Sequence, residues 1–83
     1  ALHSGAELDL MTLHNGRRLG FEVKLTRSPK VTPSMRTAQE VLGLEHLYVV
    51  CHGQGQPWPL AQGISAVPLQ SLGELALNVP NVA

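Results

Sequence analysis

Charge is scarce in this chain. Of its 83 residues, 14% are Asp, Glu, Lys or Arg, against about a quarter in ordinary soluble domains. So low a fraction points to a surface buried against a partner, or to a piece of a larger protein. Six basic residues balance six acidic ones, giving a formal net charge of zero. The chain as a whole therefore lacks the positive field that holds nucleic acid non-specifically. Cysteine is nearly absent: Cys51 stands alone, which excludes an internal disulfide and a thiolate metal cluster. A reducing, cytoplasmic setting fits that usage. No apolar run approaches the roughly 20 residues that span a bilayer, and Ala1 to Gly5 do not make a signal peptide. The four histidines have no zinc-like spacing. A Walker A pattern is missing too, so ATP binding by this segment is not expected. The length suits one small domain, residues 1–83.

What is present begins with "ELDLMTLHNGRRLGFEVKL", Glu7 to Leu25. Asn15-Gly16 at its centre favours a two-residue hairpin loop, because both residue types tolerate positive φ. Opposed residues then have numbers summing to 31: Leu13 faces Arg18, Met11 faces Gly20, Asp9 faces Glu22 and Glu7 faces Lys24. With a side-chain period of two, Glu7, Asp9, Glu22 and Lys24 share one face. Leu8, Leu10, Phe21, Val23 and Leu25 share the other, the face expected to meet the core. Directly opposed Cβ atoms lie about 4.5–5.5 Å apart, so the Asp9 and Glu22 carboxylates repel. A raised pKa, the nearby Lys24 cation or a bound metal would offset this. Magnesium and manganese favour oxygen donors of this kind, with the Val23 carbonyl a further candidate. The plainer reading stands beside it: charges alternating along a hairpin are commonly its solvated face.

These residues also carry a resemblance. Ser4-Gly5-Ala6-Glu7-Leu8-Asp9-Leu10, followed by Gly20-Phe21-Glu22-Val23-Lys24 and later "GISAVPLQSL", resembles a C-terminal domain of uncharacterised function attached to many prokaryotic AAA+ ATPases. That domain is similar in its core to restriction-endonuclease-like nucleases of the PD-(D/E)xK type. The resemblance spans about Gly5 to Leu75. It implies an α/β fold with a partial restriction-endonuclease-like core: a mixed sheet with an antiparallel motif hairpin and a crossover helix. It further implies a truncated C-terminal domain of a larger ATPase, with a Mg-dependent phosphodiesterase or nuclease-like site. Asp9 and Glu22 match the metal-binding acids, for Mg2+ or Mn2+, and Lys24 matches the catalytic lysine. Glu7 and Gln39 match accessory positions. The implied partners are the ATPase domain of the same polypeptide and DNA or a protein, with no membrane. The helix that usually opens such cores is missing before the motif. The alternative is a non-catalytic regulatory or interaction domain that contacts a protein partner through Trp58 and the apolar edge.

The remaining elements follow from local signals. Thr32 caps and Pro33 opens a helix that runs to Leu42 and stops at Gly43. Met35, Ala38, Val41 and Leu42 form its apolar stripe, while Arg36, Gln39 and Glu40 face water. "LYVVC" reads as a buried central strand beside the Glu22 strand, with Cys51 as a small apolar filler. Gly53 to Gly63 reads as a turn-rich loop or loose hairpin in which Trp58 is expected to be buried. Ile64 to Val67 makes a short last strand, and Leu69, Leu72, Leu75 and Ala76 a turn or two of helix. Residues 78–83 read as a tail or a cut end.

Overall fold

A computed structural model describes residues 8–72 of the chain. Strand β1 (Leu10–His14) turns through Asn15 and Gly16, both at positive φ, into β2 (Arg17–Lys24). The pairing is antiparallel, with Leu10 opposite Phe21, Met11 opposite Gly20 and Leu13 opposite Arg18. This is the register expected from a two-residue Asn-Gly loop. Helix α1 (Pro33–Val41) follows, with the Thr32 hydroxyl accepting the Met35 amide at 3.3 Å. It ends before Gly43, at φ +62°. Strand β3 (His46–Cys51) is the centre of the sheet; β4 (Trp58–Ala61) and β5 (Ile64–Pro68) form a second hairpin. A single 3-10 turn, Leu69–Ser71, follows β5.

The five strands run in the order β1-β2-β3-β5-β4. β2, β3 and β5 are mutually parallel, and each outer strand is antiparallel to its neighbour. Among the described residues this is a small α/β domain with one helix and a mixed five-stranded sheet; the hairpin and the crossover helix were expected, while β4 falls in the stretch read as a loop or loose hairpin. Pro59 lies within β4, beside a bulge. An edge strand tolerates it because a central ladder bond is not lost there.

Met35 and Ala38 of α1 pack with Leu44, Leu47, Val49 and Ile64 into the core. Leu47 and Ile64 lie in register with Gly20, and Val49 with Glu22. The helix therefore covers the sheet face that carries Gly20 and Glu22. This reverses the expectation for the hairpin. Leu10, Val23 and Leu25, assigned to the core face, are 54%, 53% and 81% exposed, while Glu22 is only 7% exposed. Leu8 alone of that set packs against the core cluster. The reason lies at Gly20. A Cβ built there would stand 2.7 Å from Leu44 Cδ1, 3.0 Å from Leu8 Cδ2 and 3.2 Å from Leu47 Cδ1. Three leucines converge over a residue with no side chain, so the apolar contribution to this face comes from its neighbours.

Three smaller corrections follow. Val41 points away from the core and is exposed. Trp58, expected inside, keeps 36% of its surface exposed on the edge strand. Gln39, expected to face water, is half-buried, and its Nε2 donates to the Gln62 carbonyl at 3.0 Å, tying α1 to the β4–β5 turn.

Candidate functional site

The motif residues gather at the end of β2, where three parallel strands finish side by side. Lys24 lies in register with Cys51, which in turn lies beside Pro68. In parallel α/β sheets the carboxyl ends of the strands are where ligands bind. The Thr26 amide donates to the Lys24 carbonyl at 2.8 Å, and the His52 amide to the Thr26 carbonyl at 2.9 Å. The first bond closes the turn that leaves β2, and the second ties that turn to the end of β3, placing exposed His52 at the same sheet end.

Each acid of the motif has its own partner. Glu22 Oε2 lies 3.7 Å from Lys24 Nζ, the glutamate buried and the lysine half-buried. Asp9 sits in a bend just before β1, and its Oδ2 accepts the Val23 amide at 2.8 Å. Glu22 thus has a cation beside it and Asp9 a backbone N–H. Gln39 is held at the opposite end of the sheet, where β3 and β5 begin, since its partner Gln62 leads into Ile64. Glu7 lies outside the described residues.

A hard cation such as magnesium is held by one or two carboxylates and keeps several waters. Asp9 and Glu22 are the residues that would hold it. Bound there, the ion would polarise a phosphate oxygen and lower the pKa of a water. Among the described residues no group of three or more His, Cys, Asp and Glu side chains comes together. Cys51 is buried, and burial pushes its thiol pKa up, as befits a filler rather than a nucleophile. Basic side chains are partly spent on the fold: Arg18 Nη1 donates to the Leu42 carbonyl at 3.0 Å and Arg17 Nε lies 3.2 Å from Glu45.

The sheet's other face holds a cluster that motif reading did not single out. Phe21 stacks on Tyr48 with ring centroids 5.3 Å apart, and the His46 ring lies 4.6 Å from Tyr48. His46 Nε2 and Ser65 Oγ are 2.8 Å apart. With Leu10 opposite Phe21 and Val23 two residues along β2, this face is apolar and partly open. The available signal was the alternation of Phe21 and Val23 with Gly20 and Glu22, which names two faces without saying which one the helix covers. No helix among the described residues is long and apolar enough to cross a membrane.

Burial of His46 lowers its pKa below the usual 6.5, with the Glu45 carboxylate partly opposing the shift. A histidine whose folded pKa is depressed favours folding fully above its unfolded value. That contribution is lost as pH falls through about 6.5 and then through the folded pKa. The urea midpoint is therefore expected to fall between pH 7.5 and pH 5. His46→Gln, which cannot charge, should remove part of that dependence. An unchanged profile would show that His46 does not contribute.

Two uncharacterised proteins, one of Mycobacterium tuberculosis and one of Mycobacterium bovis, are each 40% identical to this chain over 67 residues. The match covers 81% of this chain but 15% of either relative. No family model matches, and no solved structure is significantly similar. The chain is thus similar to a short section of two much longer polypeptides.

Proposed function

We propose that this chain is a non-catalytic interaction domain of a longer polypeptide, docked through the exposed part of the sheet face opposite α1, around Leu10, Phe21 and Val23. The observation that carries the reading is the exposure of Leu10 and Val23 beside the Phe21–Tyr48 stack. Burying apolar area gives roughly 25 cal/mol per Å², and aromatic anchors commonly dominate such contacts. The occupant is the remainder of the same polypeptide. The small matched share of the two longer relatives and the low charge of the chain both support that choice. An AAA+ ATPase domain, which the motif resemblance implies, is the partner that fits this arrangement.

The test is Val23→Lys in the longer polypeptide. Lysine at a half-exposed strand position should change the domain's own stability by no more than about 1 kcal/mol. Against an apolar partner it would desolvate a charge. Docking is expected to weaken at least about tenfold, or 1.4 kcal/mol, seen as a larger radius of gyration and faster proteolytic release of the domain. Unaltered scattering and proteolysis would remove this face as the docking surface.

A second reading, metal-dependent phosphodiester hydrolysis, is favoured by one specific observation: the buried Glu22 pairs with Lys24 where the parallel strands end. In it Asp9 and Glu22 hold Mg2+ or Mn2+, and Lys24 stabilises developing negative charge. DNA would be the substrate class. Mn2+ titration of the wild-type chain and Glu22→Gln tests it. The reading requires saturable binding in the first and at least about tenfold weaker binding in the second; equal affinity would defeat it.

A further inference from the structure

We infer that Asp9 is a positioning residue, whose carboxylate replaces a backbone acceptor missing from the β1–β2 ladder and so fixes the Glu22-Val23-Lys24 segment. In a hairpin with a two-residue loop at Asn15-Gly16, the pairs that exchange both backbone bonds are His14 with Arg17, Thr12 with Leu19 and Leu10 with Phe21. The next pair would be Leu8 with Val23, and the Val23 N–H would donate to the Leu8 carbonyl. β1 instead begins at Leu10, and the chain bends at Asp9. Asp9 Oδ2 takes the Val23 N–H at 2.8 Å. A side chain thus completes the ladder one residue earlier than the backbone would have done.

That substitution has a consequence for the motif. The Val23 N–H and carbonyl both point toward β1, while the side chains on either side, Glu22 and Lys24, project onto the helix-covered face. Holding the Val23 amide fixes the strand where both of their Cα–Cβ bonds originate. On that face Glu22 Oε2 and Lys24 Nζ lie 3.7 Å apart. A carboxylate accepts a backbone N–H more strongly than a neutral carbonyl does. Asp9 therefore suits a ladder end that has lost its strand partner. The inference stands on the hydrogen bond itself and holds under either functional reading.

The test uses the whole chain with Asp9→Ala and Asp9→Asn. Val23 amide exchange and the Glu22 side-chain carboxyl resonance are followed by NMR. Asp9→Ala should speed Val23 exchange about tenfold and shift the Glu22 resonance. Asp9→Asn, whose side-chain oxygen still accepts, should restore both. Unchanged Val23 exchange or an unshifted Glu22 resonance in Asp9→Ala would overturn the inference, as would failure of Asp9→Asn to restore them.

Discussion

Leu47→Ala is expected to bring the domain close to unfolding. Leu47 is fully buried and lies in the centre of the sheet, between Gly20 of β2 and Ile64 of β5. It packs in the same cluster as Met35 and Ala38 of the helix. Deleting its branched end removes transfer free energy and leaves a cavity that rigid strands on both sides cannot close, at a cost of about 2–5 kcal/mol. A domain of this size sits at the lower end of the roughly 5–15 kcal/mol stability range. The melting temperature should drop by more than about 10 °C. Calorimetry or thermal circular dichroism reads the change directly. A drop of only a few degrees would mean that the cluster around Leu47 is not the principal core.

Gly20→Val is expected to do comparable harm from the opposite direction. The space above Gly20 is already filled by Leu44, Leu8 and Leu47. A first carbon would lie 2.7 Å from Leu44 Cδ1, and valine adds two more. These neighbours are ends of side chains and can turn, but two of the three are buried core residues. Overpacking of this kind typically costs about 1–3 kcal/mol, outweighing the gain in β propensity that valine brings to an open strand. The denaturant midpoint should fall, and Gly20→Ala should fall between wild type and Gly20→Val. Stabilisation by valine would show that the face above Gly20 is open, and with it the assignment of the helix to that face would fail.

The same glycine explains how far the sequence could be read. The register of the first hairpin was legible because Asn15-Gly16 permits few loop geometries, and the helix because Thr32-Pro33 and Gly43 mark its ends. The order and type of the main elements followed from these signals. Which face of β2 meets the core was not legible. Phe21 and Val23 look like the buried set by side-chain chemistry, and Glu22 with Lys24 like the solvated set. In the folded chain Gly20 contributes space, three distant leucines fill it, and Glu22 is accommodated beside Lys24 at the strand end. β3 gave no help, since Val49 and Val50 are apolar on both faces and both are buried. β4 was hidden by Pro57 just before it and Pro59 within it, which an edge strand accepts.

For the motif, spacing indicated that Glu22 and Lys24 share a face, and their ion pair agrees. Spacing set the Asp9 carboxylate opposite Glu22; in the structure it accepts the Val23 amide at a bend before β1, which depends on where β1 stops. Nor did it reveal the Phe21–Tyr48–His46 cluster, whose members come from strands joined through a helix. The cluster matters because it marks the part of the face opposite α1 where Leu10 and Val23 stay exposed, while Val50 and Val67 on the same face are buried.

Hydroxyl-radical labelling of Phe21 and Tyr48, compared between the separate domain and the longer polypeptide, tests the docking of that face most directly. The account predicts several-fold less labelling of both rings in the longer polypeptide, with exposed residues on the helix side, such as Val41, unchanged. Equal labelling of Phe21 and Tyr48 in the two proteins would contradict it.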